Sequence, residues 1–281
     1  MNYSEITIGI VTFRSEKVIF ECLDSIKKIK NIIILDNSFD KLLKKKIISK
    51  YPYIKIFLSK KNLGYGVANN ILIKKSKTQF VFILSPDVIL EKNCEKNLLS
   101  SIKKLKKNFA ILSPDDQKMT YGYFDRTKFP RKKLLKCDFV VGSALLINKN
   151  KMKKIGLFDE NIFLYYEDRD LCKRIKFVNE NVYVDKTSKI NHFGAKSTNI
   201  GFEFEKCRNW HLMWSSVYFD RKYLFFLIFY AKNLFLLLSL TLRIIFYTVL
   251  LDKKKAMYKQ YRLSGAYNSL IGKSSWYRPK I

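Results

Sequence analysis

Four short apolar runs, separated by stretches with helical spacing, constrain this chain more than any other feature. The runs are Ile6–Phe13, Ile32–Leu35, Ile54–Leu58 and Phe80–Leu84. Each is rich in β-branched or aromatic residues, which is typical of buried strands. Strands that alternate with helices predict parallel βαβ units with helices on both faces of the sheet. The first part of the chain is therefore expected to form an α/β domain with a Rossmann-like, mostly parallel sheet.

Polar residues follow each of the four predicted strands. They are Thr12, Asp36, the loop Asn62–Gly66 and Asp87. Because open α/β sheets bind ligands at the carboxyl ends of their strands, these four positions together predict one ligand site. Taken singly, Asp36 is explained as well by a turn and Asp87 by a helix N-cap.

The chemistry of this edge favours a nucleotide with a metal ion. The glycines of Asn62–Gly66 leave backbone amides accessible ahead of a helix, which suits a phosphate. The loop is not a Walker A sequence, because no Gly-Lys-Ser or Gly-Lys-Thr follows it. A carboxylate such as Asp87 is a natural ligand for Mg²⁺ or Mn²⁺, with substrate phosphates completing the shell.

The densest acidic cluster lies between Phe158 and Lys176, after the alternation weakens near Asp115. Leu171 and Ile175 follow Asp168 at helical spacing and predict a helix that begins near Asp168. The helix dipole can hold a carboxylate at that point ionised, so that it can act as a general base. Simple helix capping by Asp168 is the alternative.

His192 is one of only two histidines, and it ends the region Asn181–His192, which is predicted to form two short strands. A histidine at a strand end beside a glycine turn suits a metal ligand or a phosphate contact. A structural histidine explains the position equally well.

Lys and Arg number 54 against 24 Asp and Glu, a formal charge of +30. This excess attracts polyanions: nucleic acid, anionic lipid or phosphorylated small molecules. The lysines are scattered, so a general enrichment in Lys explains much of it. A basic nucleic-acid-binding module remains an alternative. The five cysteines are widely spaced without a CxxC motif, which argues against disulfide frameworks and zinc ribbons.

The segment Tyr223–Leu251 is almost wholly apolar. As one helix it would exceed the roughly 30 Å hydrocarbon core of a bilayer. Lys232, Ser239 and Arg243 lie near whole helical turns apart, so they predict one polar stripe on an interfacial helix. Lys253–Lys255 would add attraction to anionic lipid. A helix that spans the membrane and a helix that packs on protein remain open alternatives for this segment. At the other end of the chain, the N-terminus has no signal-peptide pattern.

The ordered set of motifs resembles glycosyltransferase family 2, and within it the bacterial rhamnosyltransferase-like branch. The resemblance covers about residues 6 to 200 and rests on Ile8–Phe13, Leu35–Ser38, Asn62–Asn70, Ser85–Asp87, Gly142–Ala144, Phe158–Glu160, Tyr166–Leu171 and His192–Ser197. It implies a GT-A fold in residues 1–201, with a nucleotide-binding half to about 115 and an acceptor and catalytic half over about 116–201. Residues 202–281 are then expected to form a helical, membrane-associating region.

The resemblance also implies roles for individual residues. Asp168 matches the catalytic base, with Glu167 beside it, and Asp87 and His192 match metal ligands. The expected donor-binding residues are Thr12, Phe13, Asp36, Asn62, Gly64, Ser85, Asp87 and Lys196; the expected acceptor-binding residues are Gly142, Asp159 and Glu160. Ser85 departs from the family pattern, because many members carry Asp or Asn there. Cations proposed for the leaving diphosphate are Lys196, Arg221 and Lys222.

The predicted function is inverting transfer of a sugar, with rhamnose the branch's commonest donor, to a hydroxyl of a cell-surface polysaccharide or lipid-linked glycan. The predicted cofactor is Mg²⁺ or Mn²⁺. The predicted partners are a nucleotide-diphosphate sugar, the glycan acceptor and the anionic inner face of the cell membrane, without nucleic acid; a homodimer is left open. A sugar nucleotidyltransferase is the other enzyme considered, but Phe13–Glu16 lacks the glycines that its first loop needs.

Overall fold

The computed structural model describes residues 2–116, 133–193 and 201–278. These residues divide into two compact units. The first, here called the sheet unit, lies within Met1–Asp159 and Asp168–Asn199; the second, the helical unit, lies within Glu160–Glu167 and Ile200–Ile281.

The sheet unit begins with alternating strands and helices, as the apolar pattern predicts. After a 3-10 turn at Tyr3–Glu5 come β1 (Ile6–Thr12), α1 (Glu16–Ser25), β2 (Ile32–Asp36), α2 (Lys41–Lys50), β3 (Lys55–Leu58), α3 (Tyr65–Lys75) and β4 (Phe80–Leu84). The second part holds β5 (Val88–Leu90), α4 (Cys94–Lys104), β6 (Ile111–Asp116), β7 (Leu134–Cys137), β8 (Ala144–Asn148), α5 (Lys149–Ile155), α6 (Glu167–Phe177) and β9 (Val182–His192).

The nine described strands form one sheet in the order β3-β2-β1-β4-β8-β6-β9-β5, with β7 paired to β9. The first four pair in parallel, while β8 runs antiparallel to both β4 and β6. The α/β prediction is confirmed: the strands from β3 to β4 pair in parallel, and so do β6 and β9. Antiparallel neighbours need no crossover helix, which explains why the alternation weakens near Asp115.

Both faces of the sheet are covered by helices. Along β4, Phe80, Phe82 and Leu84 join the core formed with α1, α2 and α4. The alternate residues Val81 and Ile83 join the core formed with α5 and α6. Since both faces are buried, β4 is apolar at every position instead of alternating with polar residues.

The region after α6 forms one strand, β9, and the prediction of two short strands is wrong. The strand stays continuous through a register irregularity opposite Pro114 and Asp115. At that point the buried Asp185 accepts hydrogen bonds from the Ser101 and Ser188 hydroxyls, at 2.7 and 2.6 Å. Beyond it β9 pairs with β5, which places His192 opposite Val88.

The helical unit contains α7 (Phe202–Tyr223), α8 (Phe226–Val249) and α9 (Lys253–Leu270). Helices α7 and α9 approach so closely that a Cβ on Gly265 would lie 2.1 Å from the carbonyl oxygen of Trp210. Only glycine fits at such a crossing. Val217 of α7, Phe229 and Leu240 of α8, and Ala266 of α9 form the small core of this unit.

Helix α8 matches the apolar tail seen in the sequence. It has a mean hydropathy of 1.6 and, within the described ranges, is the one helix long and apolar enough to cross a membrane. Phe229, Asn233 and Leu240 make up its buried face. Helical spacing puts Lys232, Ser239 and Arg243 along one edge of that face.

Candidate active site

The loop after β2 is built around Asp36, which is 2% exposed. Its carboxylate accepts hydrogen bonds from Thr12 Oγ1 at 2.8 Å, from Ser38 Oγ at 2.8 Å and from the Asp40 backbone N–H at 2.8 Å. The β1–β2 register places Thr12 directly beside Asp36. Thus two of the predicted donor-binding residues, Thr12 and Asp36, are brought together, and the hydrogen bonds of Asp36 order the loop.

Asn37, which the sequence reasoning did not select, ties this loop to the glycine loop. Its Nδ2 donates to the Gly64 carbonyl at 3.1 Å, and its Oδ1 accepts from the Leu63 N–H at 3.3 Å. Gly64 has φ +81°, a conformation in which glycine is favoured, and it precedes α3. Asn62 Oδ1 accepts the Gly64 N–H at 3.0 Å. The glycine loop is therefore held at the carboxyl edge, as predicted.

A second carboxylate, Asp87, lies at the turn between β4 and β5. It is 2% exposed, and neither of its oxygens has a hydrogen-bond partner among the residues that the structure describes. A strand follows directly, so the helix N-cap alternative for Asp87 is wrong. Ser85, two residues earlier, donates its backbone N–H to the Ser143 carbonyl at 2.8 Å.

His192 lies between Asp87 and Asp116. Its Nε2 is 3.5 Å from Asp87 Oδ1, and its Nδ1 is 3.4 Å from Asp116 Oδ2. Burial lowers the pKa of His192, but the interactions with Asp116 and Asp87 outweigh burial and raise it to about 9. The structure thus brings together the two predicted metal ligands and adds Asp116, which the sequence reasoning missed. Its signal was the strand end Ser113–Asp116, which repeats the Ser-Pro-Asp pattern of Ser85–Asp87.

This cluster fits a divalent cation that takes part of its shell from a substrate. A buried carboxylate without hydrogen bonds is costly unless something binds it, and Mg²⁺ and Mn²⁺ prefer oxygen ligands. Within residues 2–116, 133–193 and 201–278, no group of three or more His, Cys, Asp or Glu side chains is arranged so that it could hold a metal ion. The remaining ligands would have to come from phosphates or water.

Asp168 lies in the first turn of α6 and contacts the backbone of Gly142. The Gly142 N–H donates to Asp168 Oδ2 at 2.9 Å, and the Arg169 N–H donates to Oδ1 at 2.7 Å. The Tyr65 hydroxyl in turn donates to the Gly142 carbonyl. Burial raises the pKa of Asp168, while the two N–H groups oppose that shift. A carboxylate with a raised pKa is a better proton acceptor than an ordinary one.

Asn70 of α3 fixes the chain at Phe158, just before the predicted acceptor residues. Its Nδ2 donates to the Phe158 carbonyl at 2.9 Å, and its Oδ1 accepts the Phe158 N–H at 3.0 Å. Asp159 follows and is half-buried. The signal for Asn70 was a pair of asparagines inside an otherwise apolar helix, since Asn is a poor helix former.

Glu167 and the residues before it belong to the helical unit. Glu167 is buried, whereas Glu160 is exposed. Tyr165 and Tyr166 have φ +67° and +69°, which is strained for aromatic residues. Arg208 Nε donates to the Tyr165 hydroxyl at 2.6 Å, and the Tyr166 ring lies 5.5 Å from that of Phe219. These contacts hold the segment that leads into α6.

The other predicted residues belong to both units. Phe13 is half-buried after β1, where its N–H donates to Ser15 Oγ at 3.1 Å. In the helical unit Arg221 donates to the Ser269 carbonyl, and the Lys222 ammonium lies 5.7 Å from the Tyr218 ring. Lys196 is outside the described residues. A cavity of about 650 Å³ between α1 and α4 is lined by other residues.

Comparison with known proteins shows the family to which this chain is similar. The sequence profile described as Glycosyl transferase family 2 matches residues 7–176, well over half of the 281 residues. Rhamnosyltransferase WbbL of Escherichia coli (strain K12) is 26% identical over 73% of this chain and 88% of its own length. Hexosyltransferase Agl10 of Haloferax volcanii, from low-salt glycan biosynthesis, is 25% identical over 63% of this chain and 64% of its own.

Solved structures show the same fold. Mannosyltransferase PcManGT of Pyrobaculum calidifontis, in complex with GDP-Man and Mn²⁺, has a TM-score of 0.58 at 13% identity and covers 95% of this chain and 87% of its own. Together with the profile match, this confirms the GT-A fold and the transferase activity expected from the motifs. The chain belongs to glycosyl transferase family 2 and is a glycosyltransferase.

Proposed function

We propose that this protein transfers a sugar from a nucleotide-diphosphate donor to a hydroxyl of a glycan or lipid-linked glycan, with inversion at the anomeric carbon. The observation that carries the proposal is the Asp168 carboxylate, oriented by the N–H groups of Gly142 and Arg169. The similarity to rhamnosyltransferase WbbL supports a deoxyhexose such as rhamnose as the first donor sugar to test.

In the proposed reaction Asp168 takes the proton from the acceptor hydroxyl. The acceptor oxygen then bonds to the anomeric carbon while the bond from that carbon to the diphosphate oxygen breaks. Attack from the face opposite the leaving group inverts the anomeric configuration. The half-buried setting of Asp168 supports this role, because burial raises its pKa and so strengthens it as a base.

Asp87 and His192 are the proposed protein ligands of a divalent cation, Mg²⁺ or Mn²⁺. Such a cation supplies positive charge against the donor diphosphate. The unsatisfied, buried oxygens of Asp87 support this assignment. Mn²⁺ is the first metal to test, since it accompanies GDP-Man in the similar mannosyltransferase.

The remaining roles follow the position of each residue. Thr12, Phe13, Asp36, Asn62, Gly64 and Ser85 are proposed to line the donor site, since they follow β1 to β4 at the ligand-binding edge. Gly142, Asp159 and Glu160 are proposed for the acceptor side, and Glu167 to assist Asp168. Lys196 remains a candidate for the diphosphate. Residues 1–201 and 202–281 are the proposed catalytic and membrane-associating regions.

The proposed place of action is the cytoplasmic face of the cell membrane. The apolar helix α8 and the charge of +30 support attraction to an anionic membrane. A lipid-linked acceptor would lie at the same surface.

The test is nucleotide diphosphate release by the detergent-purified protein from dTDP-, UDP- and GDP-linked sugars, with and without Mn²⁺ or Mg²⁺. One donor should give release, and Asp168→Asn should lower the rate by about 10²–10⁴-fold. Asp138→Asn is the matched control, because its exposed carboxylate pairs only with the surface Lys176, at 2.8 Å, among the described contacts. A parental rate in Asp168→Asn would refute the assigned base.

A further inference from the structure

One long side of α8 is left apolar and exposed. Its residues more than half exposed are Leu227, Ile228, Leu234, Phe235, Leu238, Leu242, Ile245, Phe246 and Val249. They recur every three or four positions, so they form one face along a helix of about 36 Å. A continuous apolar face of this length marks an interaction surface, unlike single exposed apolar residues.

The opposite side of α8 packs against the other helices of the helical unit. Phe229 and Leu240 pack with Val217 of α7 and Ala266 of α9. Lys232 also pairs with Asp220 of α7 at 2.8 Å. Because α8 packs on its neighbours between Phe229 and Leu240, it could enter a bilayer on end only by taking α9 with it. That helix carries the charges Lys253–Lys255, Lys259 and Arg262, which hydrocarbon excludes.

Positive charge lies beside the apolar face. Lys253 and Lys254 are exposed just after α8, and Arg243 is exposed on its edge. Burial, followed by the charges of Arg262 and Arg243, lowers the pKa of Lys259, so cations of α8 and α9 act on one another. Clustered cations next to an exposed apolar face match the phosphates and acyl chains of an anionic leaflet.

We propose that α8 lies in the plane of one anionic phospholipid leaflet, with its exposed apolar face in the acyl boundary and its cations at the phosphates. The helix does not span the membrane. This inference deepens the membrane association proposed above and does not depend on the transfer chemistry.

The first test is flotation of the full chain with vesicles of phosphatidylglycerol and phosphatidylcholine. Leu238→Glu should lower binding at least 10-fold, since it puts a charge at the centre of the apolar face. Leu42→Glu on α2 is the matched control, because Leu42 is 73% exposed and should be replaceable without effect. Equal vesicle binding by parent and Leu238→Glu would overturn the proposal. The proposal would also be overturned if the parent failed to bind vesicles but formed a dimer without lipid, and if Leu238→Glu dissociated that dimer.

The second test separates an in-plane helix from a span. Phe225→Cys and Leu251→Cys place a thiol at each end of α8, at positions 69% and 81% exposed. Both should react with a membrane-impermeant maleimide added outside the vesicles. The native cysteines give little background, because four are buried and Cys137 is half-buried. Protection of one end with labelling of the other would establish a span and refute the in-plane placement.

A separate observation concerns Tyr65, the first residue of α3. Its hydroxyl donates to the Gly142 carbonyl, and the Gly142 N–H donates to Asp168 Oδ2 at 2.9 Å. We infer that Tyr65 is a positioning residue: it links the glycine loop to Gly142 and thereby aims the Asp168 carboxylate. This rests on Asp168 being the base of the proposed reaction.

Tyr65→Phe tests the link, since the ring keeps its edge contact with Phe158 at 6.0 Å. We expect kcat to fall about 10-fold or more at unchanged donor KM and unchanged melting temperature. Tyr51→Phe, which removes a 2.6 Å hydrogen bond to Asp24 instead, should leave kcat unchanged. A normal kcat in Tyr65→Phe with an inactive Asp168→Asn refutes only this inference. Parental activity in Asp168→Asn refutes Asp168 as the base, and this inference falls with it.

Discussion

Asp36 and Asp87 occupy equivalent places at the two sides of β1 but are held in opposite ways. Asp36 ends β2, Asp87 follows β4, and each is 2% exposed. Asp36 is surrounded by donors, including the Thr12 and Ser38 hydroxyls and the Asp40 N–H. Asp87 has no hydrogen-bond donor in the described part of the chain and meets His192 at 3.5 Å.

The difference separates a carboxylate that orders its own loop from one that makes no hydrogen bond in the described part of the chain and that we propose as a metal ligand. A buried charged group without hydrogen bonds costs several kcal/mol, roughly, so it persists where function requires it. A satisfied carboxylate stabilises the fold instead. The same residue type at the ends of the two strands that flank β1 therefore predicts different responses to substitution.

The largest effect is expected for Asp87→Asn. Loss of the carboxylate removes the proposed metal ligand, so kcat/KM for sugar transfer should fall about 10²–10³-fold. Stability should fall by only about 1 kcal/mol, because the pairing with His192 at 3.5 Å is weakened but no hydrogen bond to the side chain is lost. Transfer assays and thermal denaturation, beside the exposed Asp24→Asn, measure both. If Asp87→Asn instead lost much stability and kept normal activity, Asp87 would be a residue that stabilises the fold and not a metal ligand.

Asp36→Ala should act mainly on stability. The substitution leaves the Thr12 hydroxyl, which is 0% exposed, without its acceptor, and the Ser38 and Asp40 groups that donate to the carboxylate lose theirs as well. We expect the free energy of unfolding in urea to fall by about 3 kcal/mol. Thr12→Val, which removes one of these bonds, should cost less. A fully stable Asp36→Ala that no longer binds the donor would make Asp36 a ligand-binding group instead of a loop builder.

His192→Gln tests the proposed metal site at Asp87 and should have a smaller effect on activity than Asp87→Asn. The half-saturating Mn²⁺ concentration for activity should rise about 10–100-fold, because one proposed ligand is replaced. His211→Gln is the contrasting control. Burial lowers the pKa of His211 to about 3, and its Nε2 lies 2.8 Å from the Tyr277 carbonyl. His211→Gln should lose stability without a change in its Mn²⁺ dependence. If the Mn²⁺ dependence of His192→Gln were also unchanged, His192 would not be a metal ligand.

The smallest effect is expected for Asn37→Ala, on the Asp36 side. It frees Leu63 and Gly64 of the glycine loop, so unfolding free energy should fall by about 1 kcal/mol and donor KM should rise a few-fold. Asn31→Ala, which loses only an exposed bond of 3.1 Å to the Ser4 carbonyl, should change neither. An unchanged donor KM would show that the loop needs no such tether.

The sequence predicts the first half of the fold well because its strands are local and repeat one pattern. Each of β1 to β4 is a short apolar run closed by polar residues, and parallel pairing puts those ends on one edge. The second half was less predictable. The bulge at Asp185, which keeps β9 continuous, depends on Ser101, a residue 84 positions away.

The missed site residues share one property: their importance lies in long-range hydrogen bonds. Asn37, Asn70 and Tyr65 lie inside motifs that the sequence already singled out, but the sequence does not show that Asn70 holds Phe158 or that Tyr65 holds Gly142. Asp116 ends a strand after the alternation has faded. No local pattern reveals which backbone group such a side chain will meet.

The sequence by itself determined the residue types at each strand end and the order of the motifs, because apolar periodicity and turn chemistry are local. It also determined that α8 would be apolar over its length. Only the tertiary structure decided that Asp36 is satisfied while Asp87 is not, and which face of α8 stays exposed. The hydrogen bonding of the two carboxylates and the exposure of α8 both depend on which groups from elsewhere in the chain lie within about 3 Å of a side chain, and only the folded chain determines those contacts.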